Sequence, residues 1–427
     1  MQGTEKKKRE KNIVLRLCEQ RKKLLCLVFL LAIVFSMEFA GHVAYSLSSE
    51  ETAVLAAETP EETTDEKQVV KVNKKKTLSL GEVYSLKREG EEIISCKCNR
   101  KKVVKVFEDG RIHALKKGKA KVVIKSRDSE KEYVRNYTIT VKKSGMVYPA
   151  FSMMKGQHLD LQFSKKKVKV KWKSSNPQIA KVTKSGKVSA RKRGKAVLTG
   201  KTQDGKIFQC NLKVTKRISN VIYLTFDDGP NRYSTTKILN ILKKNKVKAT
   251  FFELKPAKKD FDLTKRVIKE GHTLALHGYQ HKYDRIYQSE QIYHKNLDKL
   301  RDLFFDKYGV WCTVSRFPGG SSNTVSKYNP GVMTSLTKKL HGWGYHYFDW
   351  NVDSCDAGGA RNAQDTFSHF RSGLKKGRAN VVLMHDFGGN DKTINALDRM
   401  IKYGKAKGYT FLPITASTGE VHHPVNN

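Results

Sequence analysis

From residue 217 to residue 427, strand-length apolar runs alternate with stretches of helical periodicity, and five of those runs stop abruptly at a polar cluster. The runs lie at 221–226, 247–252, 272–276, 313–317, 345–350, 380–384 and 409–412. Helical stretches are predicted at 235–244, 263–270, 289–308, 332–342, 363–376 and 393–404. The clusters are Asp227-Asp228, His277 with His281, Arg316 with Pro318-Gly319-Gly320, Asn351-Val352-Asp353, and His385-Asp386. Strand–helix alternation of this kind predicts a parallel, barrel-like α/β fold. Barrels of parallel strands build their sites at the carboxyl ends of the strands, where all five clusters fall.

The residue types are those of a hydrolytic metal site. Asp227 and Asp228 end a strand just before the Gly229-Pro230 turn, so both carboxylates can reach one cavity and do different work. His277 and His281 are spaced to face one point from a helical turn or compact loop. With one carboxylate from another strand end they form a two-His, one-carboxylate set with an open position, the pattern of a catalytic divalent-metal site. Zn2+ suits these ligands, and Co2+, Ni2+, Fe2+ and Mn2+ are compatible with them. An ion held there would acidify water and polarise a carbonyl. The other carboxylate is then available as base and His385 as the acid that protonates a leaving amine. Arg316 can hold the base by a charge-assisted bond. Asp353 can orient His385 and raise its pKa, or pair with Arg316 instead. The Gly319-Gly320 turn offers backbone N–H groups to an oxyanion.

The strings TFDDGP, ATFF, GHTLALHGYQH, RFPGG, DWNVDS and LMHD, in this order and spacing, resemble the polysaccharide deacetylase family (NodB homology, carbohydrate esterase family 4) over roughly half the chain. The resemblance implies a deformed (β/α) barrel of NodB type that hydrolyses N-acetyl groups of amino-sugar polymers. It carries the base onto Asp227, metal ligation onto Asp228, His277 and His281, the base-tethering arginine onto Arg316 and the acid onto His385. Asp353 falls in the support network, and Pro318, Gly319, Gly320, Trp350 and Leu383 fall on the substrate groove. Two positions depart from the family pattern. Gly319 stands where an aromatic residue often follows the proline, and Ala357 follows Asp356 where Trp is frequent. Both alter groove walls rather than the catalytic set. The O-acetyl esterases of the same fold need the same acid, so these motifs do not separate ester from amide. A non-catalytic wall-binding protein would be expected to have lost some of them.

Upstream, residues 104–125 (VKVFEDGRIHALKKGKAKVVIK) and 180–201 (AKVTKSGKVSARKRGKAVLTGK) align without a gap, pairing Gly110 with Gly186 and Gly118 with Gly194. Short alternating strands between glycine turns predict two small β-sandwiches, and the second copy, with Trp172 and the SSNP element, resembles bacterial Ig-like modules. Lys alternates with apolar residues in VKVKWK, giving one basic and one core face. The chain carries 83 Lys and Arg against 41 Asp and Glu, a net charge of +42, which favours polyanionic partners. A basic flank over residues 1–23 precedes an apolar segment at 24–45, the pattern of an export segment. It is expected to be an uncleaved single-pass membrane anchor with the rest of the chain outside the cytoplasm, or a signal peptide if cleaved. That placement argues against nucleic acid and for anionic envelope polymers as the partners of the basic faces, with a cell-wall glycan as substrate. The expected organisation is a flank (1–23), membrane segment (24–45), spacer (46–68), Ig-like repeats (69–143 and 144–216) and catalytic domain (217–427). The seven cysteines show no disulfide framework.

Overall fold

Strand β1, Val221–Asp227, is buried along its whole length. Its alternate residues serve two cores. Ile222, Leu224 and Phe226 pack outward against helices. Val221 and Tyr223 face the inside of the curled sheet with Phe252, Val314, Phe348 and Val381. The same parity carries Thr225 and Asp227 inward. Burial on both faces is why the run reads as unbroken apolar sequence. Each large outward side chain contributes roughly 1.5–3 kcal/mol, so the strand is anchored ahead of its polar end.

The computed structural model describes residues 68–164 and 168–427. The predicted basic flank and membrane segment, and the spacer up to residue 67, lie outside the described residues. Among the described residues no helix is long and apolar enough to cross a membrane.

The remaining strands are β2 (Thr250–Leu254), β3 (Thr273–Gly278), β4 (Val314–Ser315), β5 (His346–Tyr347), β6 (Val352–Asp353), β7 (Ala379–His385) and β8 (Thr410–Phe411). All pairs are parallel, in the order β5-β4-β3-β2-β1-β7-β6, with β8 beside the start of β1. The helices are α1 (Ser234–Lys244), α2 (Phe261–Lys269), α3 (Tyr283–Ile286), α4 (Glu290–Tyr308), α5 (Val332–Lys339), α6 (Ala363–Gly373) and α7 (Asp391–Ala406). Ser289 caps α4 by accepting from the Ile292 N–H, and Gly309 ends it in the left-handed region.

The two edge strands, β5 and β6, belong to one short segment. The Phe348 N–H donates to Ser315 O on one side, and the Asn351 N–H donates to Val381 O on the other. The chain itself therefore crosses the gap where a closed barrel would have a further ladder. This crossing explains why the run predicted as a strand at 345–350 yields only two paired residues before the chain leaves the ladder. The result is a curled, open parallel sheet, the deformed barrel that the motifs imply.

The upstream region is all β. Strands Val69–Leu80, Glu132–Gly145, Gly118–Arg127 and Glu92–Cys98 form one sheet, which covers a core of Leu78, Val104, Ile112, Val122, Ile124 and Ile139. The second repeat packs Trp172, Val188, Leu198, Phe208 and Leu212 between Val170–Ser174, Gly194–Thr202 and Ile207–Thr215 on one side and Ala180–Val182 with Lys187–Ala190 on the other. The aligned glycines Gly118 and Gly194 share nearly the same backbone angle, φ 152° and 155°. Ala120 and Ala196, aligned two residues later, are both buried. Trp172 is buried while Lys171 and Lys173 are exposed, as the alternation predicts. The repeats are joined by a ladder, with Ile207 opposite Val83 and Phe208 opposite Glu82.

The first repeat also buries an ion pair. The Arg135 side chain is fully buried and that of Glu91 is 5 % exposed. Arg135 Nη1 donates to Glu91 Oε2 at 2.7 Å, Nη2 bonds Oε1, and Ser126 Oγ also donates to the carboxylate. Removing one partner of a buried pair strands the other charge, at a cost of about 3–5 kcal/mol. Glu91→Ala is therefore expected to unfold the first repeat at clearly lower denaturant, and a mid-point within experimental error of wild type would contradict it.

Candidate active site

Sheet register assembles the site. Asp227, at the end of β1, pairs with His385 at the end of β7. The parity of β1 aims Asp227 and Thr225 into the curl, where Arg316 waits. Arg316 is fully buried, and its Nη1 donates to Asp227 Oδ1 at 2.9 Å and to Thr225 Oγ1 at 2.7 Å. Its Nε and Nη2 donate to the carbonyls of Phe348 and Asp349. Each nitrogen of its planar fork is thus engaged, which fixes the Asp227 carboxylate by one of its oxygens. Burial pushes the Asp227 carboxyl above its ordinary pKa, against the opposing charge of Arg316.

The next residue turns the other way. Asp228 has φ 74°, a left-handed conformation that few non-glycine residues adopt. Gly229 must follow, because a Cβ there would fall on the Asp386 carboxylate. The turn brings Asp228 Oδ1 to 3.4 Å from His277 Nε2 and 3.5 Å from His281 Nε2. His277 Nδ1 lies 3.1 Å from the Arg316 carbonyl, so that nitrogen carries the proton and Nε2 presents a lone pair. Burial holds His277 neutral, with its pKa down to about 3. Asp228 Oδ1 is buried and has no hydrogen-bond partner. One ligand atom from each of the three side chains lies within 4.8 Å of the others. Lone pairs converging without a proton between them call for a cation, so the residues present fit a divalent metal ion.

On the far side of Asp227, His385 Nδ1 is 2.8 Å from Asp356 Oδ1. The Asp356 carboxylate also accepts from the His385 N–H, Asn390 Nδ2 and Thr393 Oγ1. Burial disfavours the imidazolium, but the hydrogen bond and charge of Asp356, with Asp227 and Asp228 nearby, outweigh it and push His385 up to about 9.

Asp353, expected to orient His385 or pair with Arg316, does neither. It is exposed, and its Oδ1 accepts from the Cys355 N–H at 2.7 Å. Cys355 adopts φ 55°, and this kink turns the chain so that Asp356, the next residue, points inward. The oxyanion role expected of Gly320 is also displaced, because its N–H donates to Phe317 O within the turn. Gly319 is exposed beside Tyr283, whose ring packs on that of His281 at 4.8 Å. Pro318 is buried and its carbonyl accepts from Tyr287 Oη. Trp350 is half-buried over Gly320, and Leu383 is buried on β7 opposite Asp353.

Sequence reasoning missed the clamp beneath this turn. Asp349 is fully buried and accepts from the Ser321 N–H, Ser321 Oγ and the His423 N–H. His423 Nε2 bonds Trp350 O, and its Nδ1 bonds Ser322 Oγ. The tail that supplies His423 has no periodicity to announce it.

Comparison with known proteins agrees with this geometry. A polysaccharide deacetylase family model matches residues 215–330, and a bacterial Ig-like domain (group 2) model matches residues 137–209. The chain is 37 % identical over 211 residues to YheN of Bacillus subtilis (strain 168), itself assigned to the polysaccharide deacetylases, spanning 47 % of this chain and 69 % of that protein. The chain belongs to the polysaccharide deacetylase family. The deacetylase is also 33 % identical over 216 residues to a peptidoglycan-N-acetylglucosamine deacetylase of Bacillus cereus, spanning 48 % of this chain and 72 % of that one. Among solved structures, the catalytic domain of a peptidoglycan N-acetylglucosamine deacetylase from Eubacterium rectale ATCC 33656 is 41 % identical, covers 50 % of this chain and 96 % of its own, and gives a TM-score of 0.47.

Proposed function

We propose that this deacetylase removes N-acetyl groups from N-acetylglucosamine of cell-wall peptidoglycan. The observation that carries the reading is Asp227 flanked on one side by the Asp228–His277–His281 cluster and on the other by its register partner His385. Asp228, His277 and His281 would hold a divalent metal ion, with Zn2+ the best match to two imidazoles and one carboxylate. When bound, such an ion supplies Lewis acidity toward an acetyl carbonyl and a lowered pKa for a water molecule.

The protein's own residues supply the proton traffic. Asp227, fixed in place by Arg316, takes a proton from water as the water oxygen bonds the acetyl carbon. His385, kept protonated by Asp356, gives a proton to the sugar nitrogen as the C–N bond breaks. Acetate and a free amine leave. The likeness to the peptidoglycan-N-acetylglucosamine deacetylase of Bacillus cereus supports peptidoglycan as the polymer. The basic faces of the repeats, including exposed Lys171 and Lys173, would hold the enzyme near anionic envelope polymers. Residues 24–45 would anchor it at the membrane with the catalytic domain outside the cytoplasm.

The test is acetate release from purified peptidoglycan and N-acetylated chitooligosaccharide, compared with acetylated xylan. Release from the first two and little from xylan is expected. Release from xylan alone would make the enzyme an O-acetyl esterase, and release from none would leave the repeats as its working part.

A pH profile checks the acid. Protonated His385 is the active form, so kcat should fall as pH rises through about 9. Asp356→Asn removes the charge that stabilises the imidazolium, and the alkaline limb should move down toward the ordinary imidazole range. The same linkage affects stability. A pKa raised on folding contributes fully below about 6.5 and is lost as pH rises through about 9.

A further inference from the structure

At the opposite end of the sheet from Asp227 lies a cavity of about 550 Å3, bounded by Val221 and Ala379 on one side and by residues 154–160 of the second repeat on the other. At its edge three imidazoles surround one carboxylate. His341 Nε2 lies 2.9 and 3.1 Å from the two oxygens of Glu420, His346 Nδ1 lies 2.8 Å from Oε1, and His422 Nε2 lies 2.8 Å from Oε2. His341 comes from the turn after α5, His346 from β5, and Glu420 and His422 from the C-terminal segment. The ligand atoms of His341, His346 and Glu420 lie within 4.8 Å of one another, the same closeness as in the Asp228 cluster. Glu420 and His346 are largely buried, at 16 % and 14 % side-chain exposure, while His341 is half exposed at the cavity mouth. His158 and Asp160 line the cavity from across the gap, adding further ligand types beside open space for water. His422 is already committed, because the nitrogen that meets Glu420 also meets Tyr347 O at 3.2 Å, so it must carry the proton.

We infer that His341, His346 and Glu420 form a second divalent-metal site, suited to Zn2+, that fastens the C-terminal segment to the base of the sheet. Two imidazoles and one carboxylate match zinc in ligand type and number, with a position left for water. To coordinate, each imidazole shifts the N–H proton that it now donates to Glu420 onto its other ring nitrogen, so the cation takes the place of two hydrogen-bond protons between the rings and the carboxylate. Three residues beyond Glu420, the same segment supplies His423 to the Asp349 clamp, whose hydrogen bonds involve neither Glu420 nor His346.

The experiment counts zinc bound to the full chain after metal stripping, by competition with a chromophoric chelator. Wild type should bind two ions. Glu420→Gln combined with His346→Ala should bind one, keep acetate release within about twofold, and lose the zinc-dependent rise in Tm that belongs to the second ion. Half-exposed His341→Gln, which leaves the buried side chains in place, should weaken the second ion at least tenfold with an unchanged circular dichroism spectrum. His277→Ala should also bind one ion, but without activity. One ion per wild-type chain, lost in His277→Ala, would overturn the second site and leave the catalytic reading intact. One ion lost only in the Glu420 and His346 variant would do the reverse. Two ions in that variant would also overturn the second site.

Discussion

Asp227→Asn is expected to lower kcat for acetate release by about 10³- to 10⁴-fold, the upper range for loss of a general base. The substitution keeps the shape of the side chain and leaves Arg316 an acceptor oxygen. It removes the charge that accepts a proton. KM should change little, because Asp227 sits at the buried end of β1 and acts on the water rather than on the sugar. Zinc binding should persist, since Asp228, His277 and His281 all remain and Asp227 Oδ2, at 4.0 Å from His277 Nε2, is not one of the three ligands. A variant that retains more than a tenth of wild-type kcat would remove Asp227 from its role as base. A variant that loses zinc as well would instead show the two aspartates exchanging roles.

Removing the metal should have a comparable effect. Chelation, or His277→Gln, is expected to reduce activity by at least about 10³-fold, and Zn2+ should restore the chelated protein but not the variant. A second readout does not depend on turnover. Asp228 Oδ1 is buried without a partner among facing lone pairs, so an ion that relieves this arrangement must stabilise the fold. By mass action, metal at 1,000 times its Kd adds about 4 kcal/mol, which a rise in Tm would register. A Tm indifferent to zinc in both wild type and the Glu420 and His346 variant would contradict this expectation. Metal affinity should fall with pH as protons compete for the imidazoles.

Much of this site was legible because Asp227, Asp228, His277, Arg316 and His385 lie at or just past the end of a buried strand. Alternation along β1 decides that Asp227 faces the curl, and the parallel register then decides that His385 is its neighbour. The support residues follow different rules. Asp353 closes β6 and Asp356 follows three residues later, and the left-handed turn at Cys355 lies between the exposed carboxylate and the buried one. Nothing in a cysteine announces that conformation. Asp349 and His423 meet because an aperiodic tail returns to the barrel floor, a contact with no local signature. The run at 345–350 reads as a full strand because it is rich in aromatic residues, of which Tyr345, Tyr347 and Phe348 are buried. They are buried by bridging two sheet edges rather than by pairing along one.

The ladder that joins Val83 to Ile207 has a mechanical consequence. Two beads on a flexible string would swivel independently, but two beads sharing a backbone seam can twist only by unzipping it. Torque applied at one repeat therefore loads these paired backbones as well as the connecting chain.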